Sequence, residues 1–89
     1  MPYIPKEARK LVDKEIARLA VIVNDYDPEK KDGFANYVIY KFICDCYPPI
    51  NYDTVSNGVK TFECAKIEYI RRKVNPYEDS KRELNGDVL

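Results

Sequence analysis

Apolar side chains recur every third or fourth position at Ala8, Val12, Ile16, Leu19 and Val23, the period of one face of an α-helix. Leu11, Ala20 and Ile22 widen the stripe, and Arg9, Lys10, Lys14 and Arg18 make the opposite side cationic. Pro5 suits the first helical turn, where its missing N–H is not needed, so a core-facing helix is predicted from there to about Asn24. Asp27-Pro28 and Asp32-Gly33 are turn signals and mark residues 25–33 as a polar loop. A second helix is predicted over about Phe34–Cys46. Phe34, Val38, Phe42 and Cys46 form one stripe, and Tyr37, Ile39, Tyr40, Ile43 and Cys44 cover most of the remaining circumference. A helix apolar nearly all round is buried on more than one side, and in so short a chain the second cover is expected to be another subunit.

Pro48-Pro49 stops that helix, and Asn51 is a natural N-cap for a third, predicted over about Tyr52–Val74. Val55, Val59 and Phe62 define one stripe of it, whose straight continuation meets Lys66, Tyr69 and Lys73. Ile67, Ile70 and Val74 take over the apolar role on a face turned by about 80–100°. The helix is therefore expected to change its buried side halfway along, bringing Lys66, Tyr69 and Lys73 to the core edge with the lysine stems packed and their ammonium groups outside. Gly58 costs such a helix about 1 kcal/mol relative to alanine. Close approach of another helix explains it, either within the subunit or at a symmetry axis. Asn75-Pro76-Tyr77-Glu78 has the form of a capping box opening a short fourth helix that ends at Asn85-Gly86. The alternative is one continuous helix kinked at Pro76. The predicted fold is all-α: one domain over 1–89, three main helices and a short C-terminal helix or kinked extension, expected to be oligomeric because a core this small is thin.

Composition narrows the function classes. The 45% hydrophobic content is that of a globular chain, and its aromatics are mainly tyrosine, eight against three Phe and no Trp. Tyrosine's apolar body and polar tip suit partly wet interfaces and pockets. Fifteen basic and fifteen acidic residues give zero net charge, which argues against general nucleic-acid or membrane-surface binding. Yet between residues 66 and 82 Lys66, Arg71, Arg72, Lys73, Lys81 and Arg82 outnumber Glu68, Glu78 and Asp79. The three cysteines, Cys44, Cys46 and Cys64, follow no secretory signal, which points to a reducing cytosol, and they are expected to be buried and inert. Cys44 and Cys46 point about 200° apart on a helix, and the chain has no histidine, so neither a metal site nor a cofactor is expected. No apolar run approaches the roughly 20 residues of a membrane span.

Without histidine the common Ser–His and Cys–His nucleophiles are excluded, and three scattered glycines build no phosphate loop. No catalytic residues are assigned, and the chain is expected not to be an enzyme. Binding fits better. Lys66, Tyr69, Arg71, Arg72, Lys73 and Tyr77 form the candidate ligand site: arginine's fork and lysine's point charge hold phosphate oxygens, and tyrosines stack on a base. A competing reading leaves Arg71, Arg72 and Lys73 as complements to a helix C-terminal dipole, paired with Glu78 and Asp79.

Met1-Pro2-Tyr3-Ile4-Pro5, Asn36-Tyr37-Val38-Ile39, Gly58 with Glu63-Cys64-Ala65-Lys66, Glu68, Arg71-Arg72 and Pro76-Tyr77-Glu78-Asp79…Asn85-Gly86-Asp87-Val88 together give a resemblance that covers most of the chain. The sequence resembles a family of small tailed-phage and prophage proteins, a domain of unknown function. The resemblance implies a phage accessory gene acting in the host bacterial cytoplasm. Small phage proteins include compact homo-oligomers whose cationic, aromatic pockets sequester nucleotide immune signals. The leading expectation is therefore a non-enzymatic homo-oligomer that binds an anionic nucleotide-type ligand. The alternative is an interaction module that inhibits or recruits a host protein through the second helix or the tail.

Overall fold

In the computed structural model, which describes residues 2–89, local chemistry sets most of the helix boundaries. Pro5 offers its carbonyl to the Ala8 N–H at 2.9 Å and opens α1, Lys6–Arg9. Leu11 and Val12 then bond three residues back, to Ala8 and Arg9, and Val12 leaves the helical region at φ −124°. Such tightened turns end a helix. The chain restarts as α2, Asp13–Asp25, so the single helix expected to about Asn24 is two, and the break carries the N-terminal segment across to residues 65–73.

The polar connector is shorter than expected. The Asp27 carboxylate accepts the Glu29 N–H at 3.0 Å and sets a 3₁₀ turn, Pro28–Lys30, that feeds straight into α3, Lys31–Cys46. Asp32-Gly33 is thus the first turn of α3 rather than a loop, a place where the Asp32 charge complements the helix dipole. Tyr26 stacks on Phe34, with ring centroids 4.2 Å apart, across this junction.

α3 stops before Pro48-Pro49, and Asn51 caps α4, Tyr52–Tyr69. The Asn51 side chain accepts the Thr54 N–H at 3.1 Å while the Thr54 hydroxyl accepts the Asn51 N–H at 3.0 Å, a reciprocal box. Beyond α4 the chain does not break at Pro76. It passes through a π turn, Ile70–Val74, into α5, Asn75–Asn85, and Asn75 keeps helical angles without a side-chain cap. A proline ring collides with the carbonyl four residues earlier, and a widened turn makes room for it. The Asn75 N–H accordingly reaches the Ile70 carbonyl, five residues back. Of the two forms the sequence left open, the continuous helix is the one observed. It ends as expected, at Gly86 with φ 90°, whose N–H bonds the Arg82 carbonyl at 2.8 Å.

The fold is all-α, with no strand among the described residues. The run from Tyr52 to Asn85 would measure about 50 Å at the ordinary helical rise, and the molecule's longest dimension is 49 Å. α3 crosses this rod at Gly58: a Cβ there would stand 3.2 Å from Ile43 Cγ2 and 3.6 Å from the Tyr47 ring, so the close approach lies within the subunit. The Tyr47 hydroxyl and Thr61 Oγ1, 2.5 Å apart, tie the same crossing.

The chain encloses almost nothing. No apolar side chain is buried among the described residues. Of the stripe expected to face a core on the first helix, only Ala8 and Val23 are half-buried, and Val12, Ile16 and Leu19 are exposed. α4 turns Thr54, Gly58, Cys64 and Glu68 inward, whereas Val55, Val59, Phe62, Ile67, Ile70 and Val74 are all exposed. The expected switch of buried side does not occur, because neither apolar stripe has a cover within the chain. Cys44 and Cys46 are likewise exposed rather than buried, and Cys64 is half-buried. No helix among the described residues is long and apolar enough to cross a membrane.

Candidate functional site

Where the N-terminal segment crosses α4, its proline-flanked tyrosine meets an ion pair. Tyr3 donates its phenolic proton to Glu68 Oε1. Arg71, one helical turn beyond Glu68, donates from Nη2 to the same carboxylate oxygen at 2.8 Å and to the Tyr3 oxygen at 2.9 Å, and from Nε to Glu68 Oε2 at 3.3 Å. The Glu68 side chain is only 15% exposed. Arg71 first, and then Tyr3, holds its carboxyl below the usual range, and the same contacts push Arg71 upward. These three residues form a lock between the chain's beginning and its long helix.

Tyr3 and Glu68 of the lock also line an open cleft of about 630 Å³. Tyr3, Ile4 and Arg9 form one wall, Val12, Asp13 and Ile16 a second, and Ala65, Glu68, Tyr69, Arg72 and Lys73 the side belonging to α4 and the π turn. Arg9 is anchored through Nε, which donates to the Ile4 carbonyl at 2.9 Å. Its remaining nitrogens are left for the cleft. Among the described residues none of Arg9, Arg72 and Lys73 is in an ion pair. The lining carboxylates are Asp13 and Glu68, the latter paired with Arg71 and also within the field of Arg72, so Arg9, Arg72 and Lys73 leave the cleft net cationic with two tyrosines on its walls.

The six residues predicted for a site separate into groups. Tyr69, Arg72 and Lys73 share the cleft. Arg71 belongs to the lock beside it. Lys66 lies outside, paired with Glu63 at 3.5 Å. Tyr77 sits on α5 beneath the Lys81 ammonium, 5.6 Å from its ring centroid. The competing dipole reading loses its basis, since the helix continues past Val74 and Asp79 pairs with Arg82 at 3.7 Å. Tyr3, Arg9 and Asp13 were not foreseen as lining residues. A tyrosine between two prolines immediately before a helix was the available signal, but its partner lies 65 positions away.

The cleft brings together separate guanidinium and ammonium groups, two tyrosines and the apolar side chains of Ile4, Val12 and Ile16, a set of groups chemically suited to an anion. No group of three or more potential metal ligands gathers among the described residues. No curated protein and no solved structure matches the chain. The family described as Domain of unknown function (DUF6899) matches residues 1–88, nearly the whole length, and the chain belongs to that family.

Proposed function

We propose that this protein is a non-enzymatic binding protein whose cleft between the N-terminal segment and α4 takes a phosphate-bearing, nucleotide-type ligand. The observation that supports this reading is the convergence of Arg9, Arg72 and Lys73, none in an ion pair, with Tyr3 and Tyr69 around one cleft. Arg72 and Arg9 offer planar forks to phosphate oxygens, Lys73 adds a mobile point charge, and the tyrosine rings stack on a base or donate hydroxyls. A volume of about 630 Å³ lies within the range of small-molecule sites. In this reading the protein is a homo-oligomer made by a phage in the host bacterial cytoplasm, where it sequesters a nucleotide signal of immunity.

Calorimetry on the full chain against cyclic dinucleotides and ADP-ribose derivatives tests the reading. Saturable heat that Arg72→Ala abolishes supports it. Absence of heat with every member of the panel, at a protein concentration that reveals micromolar affinity, overturns it.

A further inference from the structure

An apolar surface lies away from the cleft, over the crossing of α3 and α4. Two grooves, of about 300 Å³ and about 310 Å³, meet along Ile43, Gly58 and Val59. Beside them Tyr40 is 66% exposed, Val59 69% and Phe62 43%, although α4 keeps Thr54, Gly58 and Cys64 on its inner side. A helix that turns its small and polar residues inward and its valines and phenylalanine outward is built for a cover its own subunit does not supply.

We infer that this face is the contact between two copies of the chain, each burying Ile39, Tyr40, Val55, Val59 and Phe62 against the other. The area supports a permanent contact. The subunit exposes 8155 Å², about half as much again as the roughly 5,400 Å² of a compact monomer of its mass. A surplus of about 2,700 Å² per chain, spread over the elongated molecule, is large enough to include an interface of obligate size. The radius of gyration agrees, at 16.6 Å against about 12 Å for a compact domain of this length.

The occupant follows from the lack of a core. A chain with no buried apolar side chain needs its cover in order to stay folded, so the cover has to be present wherever the chain is made. A second copy meets that condition, whereas a partner encountered only during a response does not. Zero net charge removes the general repulsion that would oppose self-association. The inference shares with the proposed function only the expectation of self-association, since the face uses residues 36–62 and the cleft residues 2–16 and 65–73.

Light scattering of the full chain on a sizing column is expected to give a multiple of 10.4 kDa, and Val59→Asp to lower that mass or abolish the helical circular dichroism. Because that variant can fail by unfolding, a benzophenone amino acid placed at position 59 of the otherwise intact chain provides the second measurement. Irradiation is expected to join two copies, and the same probe at Lys10 is not. A helical monomer of 10.4 kDa, or a position-59 adduct formed only with other proteins, overturns the inference. An oligomer that gives no heat with nucleotides leaves it standing and removes the ligand reading of the cleft, and a monomer that gives heat overturns it while leaving the cleft as the ligand site.

Discussion

Tyr3 and Glu68, 65 positions apart, share one proton donor–acceptor contact that ties the first residues of the chain to its longest helix. Glu68 needs a partner here because its side chain is largely covered, and a covered carboxylate without donors is costly. Arg71 supplies two donors and Tyr3 a third, so the segment in place adds a third hydrogen bond to a carboxylate that Arg71 already pairs. The same placement brings Arg9 to the cleft. Tyr3→Phe is therefore expected to leave the helices intact and free the segment. Amide exchange at Ala8 and Arg9, whose N–H groups bond the Pro5 carbonyl, should rise several-fold while α3 is unchanged, and nucleotide affinity should fall by about three- to tenfold, an indirect loss smaller than that of a direct charged contact.

The lock has a defined pH dependence. Glu68 titrates below its ordinary value when folded, chiefly through Arg71 and then Tyr3, so the unfolded segment binds more protons than the folded one in acid. Its stabilising effect is complete above the ordinary glutamate range, near about 4.3, and is lost as the pH falls through that range and the lower folded value. Exchange or tyrosine fluorescence reporting on Tyr3 should be flat at neutral pH and show release of the segment only in acid. Glu68→Gln should remove the step. A transition centred near neutrality would contradict the assignment to Glu68.

Gly58 gives a test of the crossing. An added Cβ meets Ile43 Cγ2 at 3.2 Å with the Tyr47 ring 3.6 Å away. Alanine's helical advantage is about 1 kcal/mol, and overpacking costs about 1–3 kcal/mol. With the Tyr47 ring in contact on the same side, the clash with Ile43 is expected to win and Gly58→Ala to lower the melting temperature. In an Ile43→Ala background the clash is gone, and Gly58→Ala should then stabilise by up to about 1 kcal/mol. A double-mutant cycle with no coupling would place the crossing elsewhere.

The features the sequence disclosed were those decided within a few residues. Asn51 as an N-cap, the stop at Pro48-Pro49 and the end at Gly86 each rest on neighbouring residues and can be read from order alone. Gly58 was legible as a close approach, though not which helix approached. The break at residues 10–12 was hidden because the apolar period runs through it uninterrupted, and Asp32-Gly33 was misleading because the preceding 3₁₀ turn had already redirected the chain. The helical wheel located the stripe of Val55, Val59 and Phe62 but could not tell whether its cover belongs to the same chain. Half of the site was legible for the same reason. Tyr69, Arg72 and Lys73 share one short stretch, whereas Tyr3 and Arg9 reach them only through the fold.

Pro76 lies within a continuous helix, and the π turn before it accommodates the ring. Pro76→Ala restores a donor and removes the collision, which together disfavour proline by about 3 kcal/mol in a helix interior. The widened turn is then expected to close to ordinary i→i+4 bonding, with a gain in helical circular dichroism and loss of the bond from the Asn75 N–H to the Ile70 carbonyl, visible through hydrogen-bond couplings. Closing the turn rotates α5 by about 100° against α4. Because the inferred contact between copies lies on α3 and α4, helicity should rise while the oligomer mass stays unchanged.

Arg72 and Lys66, six residues apart on one helical run, separate the cleft from the charge around it. Both are basic and both belong to the stretch singled out from the sequence, but Arg72 lines the cleft and Lys66 pairs with Glu63 in solvent. If the whole basic stretch attracted an anion through its general field, removing either charge would weaken binding alike, and added salt would erase the difference. If the cleft holds phosphate directly, Arg72→Ala removes a charged hydrogen-bond donor worth about 1.5–3 kcal/mol, or about ten- to a hundredfold in affinity. Lys66→Ala should then change affinity by less than about twofold, in keeping with the small effect of an exposed ion pair. Titration of both variants with the tightest-binding nucleotide, at low and physiological salt, distinguishes the two. Equal losses would move the ligand out of the cleft.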